Sequence, residues 1–115
     1  MNIEQLRDYC LSLPEATEDF PFDDNILVFK VSGKLFVLTS LDEIPMFINL
    51  KCDPELAIEL REKYESVTPG YHMNKRLWNT LTMDGEINDT EIKHWIKHSY
   101  EEVVKKLPKS KRPSY

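Results

Sequence analysis

The run ILVFKVSGKLFVLTS, residues 26–40, constrains this chain more than any other stretch. Two segments rich in Val, Leu and Phe flank Ser32-Gly33, where glycine supplies the positive φ of a tight turn. The pattern predicts an antiparallel β-hairpin over about residues 26–31 and 35–40, with Lys30 and Lys34 beside its tip. Residues 46–52 extend it as a third strand, in which Met46, Ile48 and Leu50 alternate with Phe47, Asn49 and Lys51. An antiparallel sheet of this kind buries at least one face, so the rest of the chain must cover it.

Three amphipathic helices are available for that task. Asn2 is an N-cap for a first helix over about 2–12, with Ile3, Leu6, Cys10 and Leu13 at helical spacing before Pro14. Asp53-Pro54 starts a second, about 54–65, with Leu56, Leu60 and Tyr64 on one face. Asn88 or Asp89 caps a third, carrying a stripe of Ile92, Trp95, Ile96, Tyr100, Val103, Val104 and Leu107, and Pro108 ends it. Between them RLWNTLTM predicts a strand, with Leu77, Asn79 and Leu81 on one side and Trp78, Thr80 and Thr82 on the other. Pro69-Gly70 and Asp84-Gly85 read as turns. The segment EATEDFPFDD reads as a loop pinned to the core by Phe20 and Phe22. The expected fold is α+β: a two-layer structure in which an antiparallel β-sheet is covered on one face by helices, in the order α-β-β-β-α-β-β-α. It forms one domain over residues 1–108, followed by a frayed basic tail over 109–115.

Composition excludes several classes of function. No apolar run reaches the roughly 18 residues of a membrane span, and MNIEQLRDYC lacks the pattern of a signal peptide. Cys10 and Cys52 stand far apart and form no CxxC, so they read as reduced, buried thiols of a cytoplasmic protein. The net charge of −5 is unevenly spread. Residues 1–65 hold 14 acidic and 6 basic side chains, a net −8, and residues 66–115 hold 6 and 9, a net +3. The second half can therefore carry a local basic face, although the molecule as a whole is a poor general nucleic-acid binder.

Catalytic chemistry finds little support. His94 and His98 share a helix face at i, i+4, but Trp95, Ile96 and Lys97 stand between them and no third ligand is evident, so they read as solvated and no metal is expected. Cys10 lies on a buried stripe. Cys52 precedes a helix start, where the dipole lowers a thiol pKa, yet no surrounding motif supports catalysis with any of the three histidines. With three glycines in the chain there is no phosphate-cradling loop. The reading is non-enzymatic, without a cofactor.

Basic and aromatic side chains on or beside the strands remain: Lys30, Lys34, Lys51, His72, Lys75, Arg76 and Trp78. Lysine and arginine neutralise phosphate, and an aromatic ring stacks on a base. These residues also carry a resemblance. FPFDDNILVFKVSGKLFVL, INLKCDPELAIELREKY, TPGYHMNKRLWNTL and SYEEVVKKLPKSKR are similar to successive motifs of the MmcQ/YjbR family of small bacterial proteins. The resemblance implies a CyaY-like, secretion-chaperone-like fold and DNA binding through a double wing, the wings here being hairpins at Ser32-Gly33 and Asp84-Gly85. It carries over Lys30, Lys34, Asn49, Lys51, His72, Asn74, Lys75, Trp78, Ser99 and Tyr100. Three uses of these residues follow. The first is a monomeric DNA-binding module; the second is a non-catalytic domain that binds a protein or small ligand in a sheet-face groove. The third is a structural motif in which His72, Lys75 and Trp78 lock a turn and the sheet to the last helix.

Overall fold

The computed structural model describes residues 1–70 and 73–113. Chain order is α1 (Ile3–Ser12), β1 (Ala16–Asp19), β2 (Ile26–Val31), β3 (Lys34–Ser40), β4 (Phe47–Lys51), α2 (Pro54–Lys63), β5 (Val67–Pro69), β6 (Trp78–Thr82) and α3 (Asp89–Val104). A short 3-10 turn, Lys109–Lys111, follows. The strands form one antiparallel sheet in the order β1-β2-β3-β4-β6-β5. The expected succession is present, with one strand more at its start. β1 lies in the segment read as a loop: its acidic residues pair with β2 along an exposed edge.

Local chemistry explains the element ends. Asn2 and Gln5 form a reciprocal capping box on α1. Asp53 accepts from the Leu56 N–H at the start of α2, and Asn88 accepts from the Glu91 N–H at the start of α3. Ser32 and Gly33 both have positive φ, 49° and 79°, as a two-residue hairpin turn requires.

Paired residues share a face of the sheet, so the register sorts the side chains. Leu27, Phe29, Val37, Ile48, Leu50, Leu81 and Val67 point to one side, where they join Leu6, Cys10, Ala57, Leu60, Ile96 and Tyr100 of the helices in the core. α3 packs across β2, β3 and β4, α1 against β1 and α2 against β5. Ile26, Leu35, Leu38, Phe47, Asn49, Lys51 and Trp78 point the other way, onto a face without a helix. No described helix is long and apolar enough to cross a membrane.

A bulge disturbs the middle of the sheet. Phe29 pairs with Val37 but Lys30 pairs with Leu35, so Phe36 is the extra residue on β3. Its ring is buried edge-on against Tyr100, with centroids 5.3 Å apart. β3 and β4 stay paired only as far as Val37 and Leu50. Beyond that point the Ser99 hydroxyl of α3 lies between them, accepting from the Lys51 N–H at 2.8 Å and donating to the Phe36 carbonyl at 2.6 Å.

Three local expectations change. Pro69-Gly70 is no turn: Pro69 ends β5 and the Gly70 N–H continues the ladder to the Trp78 carbonyl at 2.8 Å. A side chain at Gly70 would meet Trp78 Cβ at 2.8 Å, so glycine is needed for this close approach. The reversal comes later, where the Asn74 carbonyl accepts from the N–H groups of Leu77 and Trp78. Phe20 and Phe22 do not pin a loop to the core, being 45% and 69% exposed. The tail does not fray at its start: Arg112 donates to the carbonyls of Leu107 and Lys105 at 2.9 and 2.8 Å, and Ser32 Oγ donates to the Lys111 carbonyl at 2.6 Å.

Replacing Ser99 with Ala should leave a buried carbonyl and a part-buried N–H without their partner, at a cost of roughly 2–3 kcal/mol. Urea unfolding followed by circular dichroism would then show a lower midpoint with an unchanged slope.

Candidate functional site

One groove occupies the side of the sheet that lacks helices, and a second lies at its margin. The first, about 440 Å³, is lined by Phe22, Ile26, Leu35, Leu38, Phe47 and Met73, with Ser40, Glu43 and Asn49 as its polar members. The second, about 360 Å³, lies where the sheet meets the end of α3 and is lined by Lys34, Leu35, Lys51, Trp78, Val103, Lys106 and Leu107. Leu35 belongs to both. The pairing explains the convergence: Lys30 faces Leu35 across β2 and β3, and Lys51 faces Trp78 across β4 and β6. Lys30, Leu35, Lys51 and Trp78 therefore form a row across the open face.

The second groove is the basic end of the molecule. Burial, followed by the Lys106 ammonium, holds Lys51 below the ordinary lysine range, and Glu102 pulls the other way. Glu102 is itself ion-paired with Lys105. The docked tail adds Lys109 and Lys111 next to the hairpin tip, so cations from the acidic and the basic halves of the sequence meet here. The separation of charge seen along the chain thus becomes a charged end in space.

The expected residues divide into groups. Lys34, Lys51 and Trp78 are brought together. Lys30 stands in the same row, but its amine pairs with the Asp19 carboxylate at 3.2 Å. Lys75 donates to the Gly70 carbonyl at 3.3 Å, and its own carbonyl accepts from the Arg61 guanidinium. Arg76 is exposed, with its backbone N–H on Asn74 Oδ1 at 2.9 Å. His72 lies outside the described residues. Asn49, Asn74, Ser99 and Tyr100 make internal bonds: Asn49 Oδ1 accepts from the Thr80 hydroxyl, and the Tyr100 hydroxyl donates to the Pro14 carbonyl at 2.6 Å.

Asp84-Gly85 is not the tip of a second wing, because β6 leads through it directly into α3. The second hairpin is β5–β6.

Sequence reasoning missed Lys105, Lys106, Lys109, Lys111 and Arg112. The signal was present in KKLPKSKR, where five of eight residues are basic. It missed Arg61 as well, whose Nε donates to Asn79 Oδ1 at 2.7 Å and whose terminal nitrogen reaches the Trp78 carbonyl at 3.2 Å. No local pattern marks that arginine.

Comparison with known proteins agrees with this architecture. A family model described as YjbR matches residues 11–102. Uncharacterized protein YjbR of Escherichia coli K12 is 35% identical over 112 residues, covering 97% of this chain and 95% of that protein. Uncharacterized protein YbdF of Escherichia coli O157:H7 is 38% identical over 107 residues, or 92% and 87% of the two chains. The crystal structure of Deinococcus radiodurans protein DR2400, with a domain described as DUF419, superposes with a TM-score of 0.91 at 39% identity, over 96% of this chain and 84% of that one.

The names of these relatives carry no activity, so reactive groups are judged from this structure. Both cysteines are buried free thiols. The expected dipole effect on Cys52 is overridden: burial first, then the Asp53 and Glu102 carboxylates, push its thiol from 9.0 up to about 12. Burial raises Cys10 too. His98 is not simply solvated: it is half-buried, and its Nε2 accepts from the Asp53 N–H at 3.3 Å. His94 packs edge-on against Trp95 with centroids 4.7 Å apart. Neither thiol should react with dithionitrobenzoate at pH 8 in the native protein, and both should react once guanidinium chloride unfolds it. A raised folded-state pKa means that the fold keeps protons which the unfolded chain releases. The thiol contribution to stability is therefore complete below pH 9 and falls away from pH 9 towards pH 12, which urea titrations across that range would register.

Proposed function

We propose that this chain, which belongs to the YjbR family, binds nucleic acid through phosphates at its basic end, as a non-catalytic module with a preference for single strands. One observation carries the reading: the Lys51 and Lys106 amines share a groove with the Trp78 ring, and Lys106 depresses the Lys51 pKa. Two like charges held together in a partly desolvated groove are relieved by an anion bound between them. Lys34 lines the groove, and the tail that carries Lys109 and Lys111 is docked at the hairpin tip beside it, where these lysines would meet neighbouring phosphates along a strand. The half-buried Trp78 and Leu35, with the buried Val103 and Leu107, offer an apolar wall on which an unstacked base would rest. A base within a duplex is already stacked and does not reach such a wall. The Ser32-Gly33 hairpin, joined to the tail through Ser32, would act as one wing beside this groove.

Lys30 and Lys75 have partners within the protein and contribute less in this reading. Among the described residues the thiols are neutral and buried and the interface offers amines and one indole, which supports binding without reaction.

Fluorescence anisotropy of a labelled single strand and a labelled duplex, titrated at low and near-physiological salt, tests the proposal. Binding should be tighter for the single strand and weaken steeply with salt, with a logarithmic slope of about −3 for some four to five neutralised phosphates. Lys51→Gln/Lys106→Gln should weaken it at least about tenfold and flatten the slope by about 1–2, whereas Lys30→Gln should change it little. Absence of binding at low salt, or equal affinity in the double variant, would overturn the assignment.

A further inference from the structure

The apolar groove is not used by the phosphate reading, and it calls for an occupant of its own. It is built from β-strand side chains of β2, β3 and β4, with Phe22 and Met73 contributed from loops. Its volume of about 440 Å³ falls within the range of roughly 300–1,000 Å³ usual for small-molecule sites. A sheet face exposed only to water needs no row of Ile26, Leu35, Leu38 and Phe47, and alternation would ordinarily place polar residues there.

Charge defines which molecule fits. Leu35 lies in both grooves, so the apolar trough leads into the wall that carries Lys51 and Lys106. Along β4, Phe47, Asn49 and Lys51 alternate onto the open face. The trough is thus apolar at Phe47, polar at Asn49 and cationic at Lys51, over about 13 Å. Glu43 stands in the apolar groove, away from the lysines, and disfavours an anion at that end. We propose that the open face is a binding site for a small amphipathic anion, with its acyl or aromatic body over Leu38 and Phe47 and its carboxylate at Lys51 and Lys106. Desolvation of the body supplies affinity, and the like-charged amines supply direction. The site shares two lysines with the proposed phosphate interface but does not require that interface to exist.

Isothermal titration of the whole chain with octanoate, octanol and butyrate tests this without nucleic acid present. Octanoate should bind at one site, about tenfold or more tighter than either octanol, which lacks the charge, or butyrate, which lacks the body. Lys51→Gln should weaken octanoate about tenfold and leave octanol unchanged. Leu38→Glu should abolish octanoate binding by placing a carboxylate on the trough floor. Phe22→Ser, a change at a 69% exposed loop residue that leaves the fold intact, should weaken octanoate and octanol alike. Equal affinities for octanoate and octanol, or an octanoate affinity untouched by both Leu38→Glu and Phe22→Ser, would overturn the inference. Leu38→Glu also separates the two readings, since it should leave single-strand binding in place: octanoate binding without nucleic-acid binding sustains this site alone.

Discussion

The hydroxyl of Ser99 is the constraint on which the site depends. A ladder between β3 and β4 would normally continue past Val37 and Leu50, closing the sheet over Leu35 and Lys51. Instead the extra residue Phe36 turns its ring into the core against Tyr100, and Ser99 takes up the carbonyl and N–H that the strands no longer offer each other. A helix residue thereby replaces a strand–strand bond. The backbone of Lys51 is held from the helix side, while its side chain is delivered to the opposite face. The splay of β3 from β4 beyond the bulge is what leaves room for a groove between Lys34, Lys51 and Trp78. Packing in the core and the opening on the surface are two consequences of one inserted oxygen.

The two faces of the sheet also divide the motif PGYHMNKRLWNT. Successive strand residues point to opposite sides, so Asn79 and Trp78 have different neighbours although they are adjacent. Asn79 is buried on the helix side, bound to Arg61 and to the Ala57 carbonyl at 3.3 Å. Arg61 also reaches the carbonyls of Lys75 and Trp78, and so fixes the loop from beneath. Trp78 emerges above, half-buried, beside Lys51. A structural use and a binding use of the motif are therefore compatible, and the alternation of the strand assigns residues to each.

Much of the fold was legible because local chemistry and global packing agree where the signals are strong. The Ser32-Gly33 turn, the alternation in β2 to β4 and the caps at Asn2, Asp53 and Asn88 require nothing beyond neighbours in sequence. β1 was not legible: its acidic residues have no alternation of their own, and it forms because β2 presents an edge and Arg7 of α1 holds Glu18 from the helix side. Asp84-Gly85 misled for a related reason, since a turn dipeptide gives a reversal but not the element that follows. For the site, Lys34, Lys51 and Trp78 could be found from strand position, but Lys106 could not. Its place next to Lys51 depends on how α3 crosses the sheet. The partners that occupy Lys30 and Lys75 are likewise tertiary facts.

Total charge does not describe what an approaching anion would meet. A net −5 sums over the whole surface, whereas an approaching anion responds to the charges within about 8 Å of it, the screening length at physiological ionic strength. What an anion would meet at the end of α3 is Lys34, Lys51 and Lys106, with Glu102 already paired to Lys105 and the tail that carries Lys109 and Lys111 docked at the hairpin tip. Acidic residues of α1 and β1 lie at the other edge of the sheet, four strands from β6 in the order β1-β2-β3-β4-β6-β5. They repel anions from that edge and leave the basic end as the place of approach. In the proposed readings, an acidic protein with one basic end would restrict where an anion binds, and the apolar groove that shares Leu35 would then restrict which anion stays.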